Sequence, residues 1–247
     1  MSTNAAGVIN GKQESLISEV KATESNIVTI QETHSTRKGR ILMPDDFVIF
    51  ESIRKAKHGC TMCAVKDYLN AKLIEEYNDP FELLVVEIEV DNGVRIITGC
   101  GPQENWDEDK RMPFFIALEA EIVKSQLSGK STIIEIDANS KLGPEHIPND
   151  PHKMSANGRV LSSIIKRHAP IVANGDKFCK GLITRERNIA TRNERSCINI
   201  VLFSHDIIKH FKSMIIDESR KHVLTRISQT KRGAMKKESD HNVLILI

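Results

Sequence analysis

The sequence predicts an α/β fold built as a single domain over residues 1–247. Three observations lead there. Strand-like and helix-like segments alternate along the whole chain. No internal repeat and no low-complexity stretch interrupts them. Hydrophobic side chains make up 40% of the chain and charged ones 28%, enough apolar material for one sizeable core.

The elements follow in order. Residues 12–24, KQESLISEVKATE, put Leu16, Ile17 and Val20 on one helical face. NIVTIQE (26–32) reads as a strand ending on Glu32. FVIFES (47–52), CTMCAV (60–65) and FELLVVEIEV (81–90) read as strands, with Asp91-Asn92-Gly93 as the hairpin turn into VRIITG. A longer helix over 109–128 carries Phe114, Phe115, Leu118, Ile122 and Leu127 on its apolar face and is closed by Gly129. STIIEID (131–137) is a buried-type strand ending on Asp137, and NGRVLSSIIKRH (157–168) is a helix. CINIVLFS (197–204) is a strand, and HNVLILI (241–247) is a last strand preceded by Ser239-Asp240.

A net charge of +2 hides an asymmetry: residues 1–150 carry 16 Lys/Arg against 25 Asp/Glu, whereas residues 151–247 carry 19 against 8. The basic excess is clustered at Arg185, Arg187, Arg192 and Arg195, at Arg220, Lys221 and Arg226, and at Lys231, Arg232, Lys236 and Lys237. Such clusters fit a polyanion partner held by its phosphates, and equally a solvated face. Aromatic residues are only 4% of the chain, with Trp106 and Phe178 as loop-region candidates for base stacking. Recognition would therefore rest on phosphates and groove shape.

The five cysteines (Cys60, Cys63, Cys100, Cys179 and Cys197) are odd in number and scattered, which suits core thiols in a reducing compartment. Cys60-Thr-Met-Cys63 has the spacing of half a zinc site, but no second close pair completes it. No apolar run approaches the roughly 20 residues that span a bilayer, and MSTNAAGVINGKQ lacks a signal-peptide layout. An intracellular protein without a membrane segment is expected.

The chemistry-bearing residues at strand ends are Asn4, Glu32, Asp137, Asn139, Asn199, Asp240 and His241. Hard divalent cations such as Mg²⁺ are bound by one or two carboxylates, with water and substrate phosphate completing the shell. Phosphodiester hydrolysis adds a group that activates water and donors for the charge on phosphorus-bound oxygens. Singly, a strand-terminal Asp or Asn is a common turn or cap residue.

Their order carries more. Asn4 with Gly7, Gln31-Glu32-Thr33, Gly101-Pro102, Asp137-Ala-Asn139, the 197–204 strand and Ser239-Asp240-His241-Asn242 resemble the ordered motifs of the endonuclease/exonuclease/phosphatase superfamily. The start TNAAGVINGK and the stretch IDANSKLG are most similar to its retrotransposon endonuclease branch. The resemblance implies a four-layer α/β/β/α sandwich, two packed mixed sheets flanked by helices, and a DNA-nicking activity that uses Mg²⁺ or Mn²⁺. It implies Glu32 as the principal metal ligand with Asn4 ordering that site. It also implies Asp137 as the group that orients or deprotonates water, Asn139 as a phosphate contact, and His241 with Asp240 at the phosphate and metal. Thr184, in Gly181-Leu-Ile-Thr184, matches the family's loop threonine near the nucleic-acid surface, and Arg185 and Arg187 beside it are expected substrate contacts. The expected partner is the DNA phosphate backbone, met in the nucleus by a monomeric domain. The apolar ending at Ile247 fits a domain excised from a polyprotein with a reverse transcriptase.

Two positions depart from the family pattern. Asn199 stands where the family has an Asp that supports the catalytic His, and Cys100 stands where it has a Tyr that reaches the scissile phosphate. A milder difference is Ala6, acidic or polar in some branches. In a Ser-His-Asp site the analogous Asp-to-Asn change costs about 10⁴ in turnover, and a thiol is a weaker donor than a phenol. Slow cleavage is therefore expected. Alternatives are a non-catalytic nucleic-acid-binding module and a phosphatase or phospholipase of the same superfamily.

Overall fold

Leu83, Leu84, Val85 and Val86 are all fully buried, which a strand permits only when both of its faces are covered. Leu83 and Val85 pack with Phe114, Phe115 and Leu118 of a helix, while Leu84 and Val86 pack with Cys63 and Val65 of another sheet. That alternation defines the layers.

The structure, a computed structural model, describes residues 1–8, 11–53, 59–78, 81–189, 192–230 and 233–247, with side chains except at 188–189, 192, 227–230 and 233–237. In chain order the elements are β1 (Ser2–Asn4), α1 (Gln13–Ala22), β2 (Ile27–Gln31), β3 (Phe47–Ser52), β4 (Thr61–Lys66), β5 (Ala71–Tyr77), β6 (Glu82–Ile88) and β7 (Val94–Cys100). There follow α2 (Glu108–Leu127), β8 (Ser131–Asp137), α3 (Ala156–His168), β9 (Ile171–Val172), β10 (Cys179–Lys180), β11 (Arg185–Ile189) and β12 (Arg192–Ser196). The chain then forms β13 (Asn199–Phe203), β14 (Met214–Ile216), β15 (Thr225–Thr230), β16 (Gly233–Glu238) and β17 (Leu244–Leu246).

One sheet has the order β10-β14-β17-β1-β2-β4-β3 and the other β5-β6-β7-β8-β13-β9. Both are mixed: β1 runs parallel to β2, and β7 parallel to β8, among antiparallel neighbours. Leu16 and Val20 of α1 pack on Val28 and Ile30 of β2, covering the outer face of the first sheet. Leu161, Ile164 and Ile165 of α3 join α2 on the outer face of the second. The result is the α/β/β/α sandwich. Two hairpins, β11–β12 and β15–β16, stand outside both sheets.

Several expectations are corrected. Leu127 is 85% exposed; five residues beyond buried Ile122, it points about 140° round the helix. The last strand begins at Leu244 rather than His241, because Asn242 leaves the sheet to bond Thr184 and Ile183. Phe178 packs edge-on against Phe211, with centroids 5.1 Å apart, and so belongs to the core rather than to a stacking platform. Cys60 and Cys63 are buried thiols, as expected. Lys231 and Arg232 lie outside the described residues, as do the side chains of Arg192, Lys236 and Lys237. Among the described residues no helix is long and apolar enough to cross a membrane.

Candidate active site

Strand register does most of the positioning. In the second sheet, Cys100 and Asn199 are both paired across from Asp137, one parallel and one antiparallel. In the first sheet Asn4 pairs with Gln31, so Glu32 emerges beside it. These ends face one another at one edge of the sandwich. Asn4 joins the two sheets there: fully buried, it donates from Nδ2 to Asp137 Oδ2 at 2.7 Å and accepts the Ala6 N–H on Oδ1 at 3.0 Å. Its oxygen is thus anchored to the backbone of the loop that follows β1.

Asp137 is held at both oxygens, since the Asn139 backbone N–H donates to Oδ1 at 3.1 Å. Asn139 adopts a left-handed φ of 43° and donates from Nδ2 to Gly101 O at 2.9 Å. The other side of this loop is fixed by Asn157, which sequence reasoning did not single out. Its Nδ2 bonds the carbonyls of Pro102 and Asn139, and its Oδ1 accepts from Arg111. Gly101 must be glycine: a Cβ there would lie 2.8 Å from Ala138 O.

His241 is buried and lies with Nδ1 2.8 Å from Asn199 Oδ1, which fixes its ring proton on Nδ1. Nε2 then lies 3.9 Å from Asp137 Oδ2 and 3.8 Å from Asp240 Oδ1. Burial pushes the imidazole pKa below its ordinary value in spite of those two carboxylates. Among the described residues Asn199 Nδ2 is buried without a hydrogen-bond partner; such an orphan costs about 1–3 kcal/mol. Thr184 is fully buried, its hydroxyl accepting the Ile198 and Asn199 N–H groups at 2.8 and 3.0 Å. It thereby holds the start of β13. Glu218, also unforeseen, accepts the Leu182 and Ile183 N–H groups and so fixes the loop before it.

Glu32, Asp137, Asn139, Asp240 and His241 line a cavity of about 680 Å³, and Arg185, Arg187 and Arg220 stand at it too. Arg185 pairs with Asp240 at 3.0 Å. Burial alone would raise the Asp240 pKa, but neighbouring His241 and Arg185 hold it below the ordinary value. A second hollow of about 710 Å³ shares Gln103, Asn139 and Arg185 with the first and adds Lys141, His152 and Arg195. The two hollows adjoin at these shared residues.

Ligand atoms of Glu32, Cys100 and Asp137 lie within 4.8 Å of one another. Burial and the Asp137 charge push the Glu32 pKa up to about 7. Two carboxylates this close, with negative charge left uncompensated, fit a divalent cation. The protein without metal should be stressed accordingly. A carboxyl raised from about 4.5 to about 7 contributes stability below the lower value and loses it as pH rises through the upper one. Glu32→Gln should therefore stabilise the metal-free protein by roughly 1–3 kcal/mol at pH 8 and by much less at pH 5. Urea unfolding at both pH values checks this, and an equal effect at the two would contradict it.

No protein-family model matches the sequence, and no curated protein matches it. Solved structures do match. The endonuclease domain of TRAS1, a telomere-specific non-LTR retrotransposon, shares 15% identity at a TM-score of 0.66, over 99% of this chain and 95% of that one. The AP endonuclease LMAP from Leishmania major shares 12% identity at a TM-score of 0.72, over 100% and 86%. An AP endonuclease from Archaeoglobus fulgidus shares 14% at 0.64, over 100% and 97%. Two mixed sheets packed between helices, with polar strand ends meeting at one edge and these structures as neighbours, give the chain the endonuclease/exonuclease/phosphatase fold.

Proposed function

We propose that the protein is a divalent-metal-dependent endonuclease that nicks DNA, a single domain of the retrotransposon type acting in the nucleus as part of a polyprotein with a reverse transcriptase. The observation that carries this is the convergence of Glu32, Asp137, Asn139, Asp240 and His241, drawn from both sheets, on one cavity with arginines beside it. The TRAS1 endonuclease among the structural neighbours supports the branch.

Glu32 would hold Mg²⁺ or Mn²⁺, which when bound supplies Lewis acidity at the phosphate. Asp137, oriented by Asn4 and Asn139, accepts a proton from the attacking water. Asn139 spends one N–H on Gly101 and has a second beside Cys100 Sγ at 3.9 Å, a weak contact that a phosphate oxygen would replace. His241 stabilises developing charge best as a cation, which its burial disfavours and neutral Asn199 does not support. Arg185, Arg187 and Arg220 hold flanking phosphates. Cleavage is therefore slow, and the second reading, a DNA-binding domain without turnover, draws its support from Asn199.

The test is incubation with supercoiled plasmid and Mg²⁺ or Mn²⁺. Nicked circles are expected, falling about 10³-fold or more in Glu32→Ala and His241→Ala. DNA bound in a salt-dependent way, with no nicking at all, would favour the second reading. Nicking that survives both substitutions would refute the site.

A further inference from the structure

A sulfur atom sits among the oxygen donors of this centre. Cys100 closes β7, and the parallel register with β8 sets it directly across from Asp137. Its Sγ belongs to the group, with Glu32 and Asp137, whose ligand atoms all lie within 4.8 Å of one another. The three residues come from three strand ends, fixed independently by β2, β7 and β8. Cys60, Cys63 and Cys197 are buried in the core, and Cys179 lies on β10, two residues before Gly181. Mg²⁺ takes oxygen donors and gains nothing from sulfur, whereas Zn²⁺ and Cd²⁺ bind thiolate strongly.

We propose that Cys100, with Glu32 and Asp137, forms a mixed sulfur and oxygen site that binds thiophilic divalent cations in preference to Mg²⁺, and that such a cation holds the centre in an inhibited state. The inference rests on the reading that Glu32 and Asp137 attract a divalent cation. On binding, the Cys100 thiol proton passes to solvent and Sγ forms the metal bond as thiolate. Asp137 becomes a ligand in the same event, so the carboxylate that should accept a proton from water is occupied. The thiol thus turns a magnesium-type centre into one whose state depends on which metals are present.

The experiment uses Cd²⁺ as the probe and needs no DNA. Purified protein is titrated with Cd²⁺ while the ultraviolet sulfur-to-cadmium charge-transfer band is followed. In parallel, Mn²⁺ is bound and its release by Cd²⁺ is read by electron paramagnetic resonance. One equivalent of Cd²⁺ should generate the band and release the Mn²⁺. Cys100→Ser and Cys100→Ala should each lose the band and weaken Cd²⁺ binding at least about tenfold, with Mn²⁺ affinity kept within about twofold. Retained Mn²⁺ binding also reports that these variants fold. Cys179→Ser should keep the band. A band that persists without Cys100, or Cd²⁺ that binds without releasing Mn²⁺, overturns the proposal. Mn²⁺ binding with no cadmium band in the wild type overturns it and leaves the metal centre standing, whereas binding of neither ion overturns both.

Discussion

Asn199→Asp should raise the nicking rate by about 10²–10³-fold, short of the roughly 10⁴ that the reverse change costs in a Ser-His-Asp site. The geometry for the gain is already present, since Asn199 Oδ1 lies 2.8 Å from His241 Nδ1. A carboxylate there keeps the accepting oxygen and adds the charge that stabilises imidazolium. It also removes the buried Nδ2 that has no partner among the described residues. The His241 pKa, held low by burial, should rise, so the pH range over which the ring is a cation extends upward. Two measurements check this: plasmid nicking against pH, and the imidazole titration followed by NMR. A raised pKa with no gain in rate would show that the cation is not what limits cleavage. Adding Cys100→Tyr should increase the gain, because a phenol is longer and a better donor than a thiol.

Asn4→Asp should be the most damaging isosteric change in the site. Asn4 donates to Asp137 Oδ2 at 2.7 Å in a fully buried position. A carboxylate of the same shape would remove the donor and set a like charge against Asp137, with Glu32 close by. Leaving charge buried and unpaired costs roughly 3–5 kcal/mol. The pair would relieve this by sharing a proton, so its folded pKa lies above the unfolded value. The loss of stability should then be small near pH 4 and grow as pH rises to 8, as guanidinium unfolding across that range would reveal. Nicking should fall by about 10³-fold or more, since Asp137 loses the donor at Oδ2 and faces a like charge. A variant as stable as the wild type at pH 8 would mean that Asn4 does not join the two sheets electrostatically.

The strands that carry the site were legible because both of their faces are buried. The run Leu83–Val86 of β6 has no polar interruption, and the apolar runs Ile133–Ile134 of β8 and Phe47–Phe50 of β3 precede their polar ends. The edge strand β5 and the hairpins β11–β12 and β15–β16 escaped notice for the opposite reason. They are rich in charge (AKLIEEY, RERNI, RNERS, GAMKKE) and owe their conformation to cross-strand pairing rather than to an apolar pattern. Asn157 and Glu218 were missed because a buried amide that clamps two carbonyls, or a carboxylate that accepts two N–H groups, leaves no periodicity. Thr184 was found by its place in the sequence, yet only its burial reveals that it serves the β13 backbone.

The sequence by itself determined the layered α/β fold, the strand ends that carry Glu32, Asp137 and His241, and the two substitutions at Asn199 and Cys100. The fold and the strand ends follow from local pattern, which is a property of neighbouring residues, whereas the two substitutions are read only against the family that the motifs resemble. Only the tertiary structure decided that Asn4 joins the sheets, that Cys100 stands with two carboxylates, and that Asn199 leaves a buried donor without a partner among the described residues. Those are relations between residues up to 133 positions apart, set by strand register and by the packing of one sheet on the other.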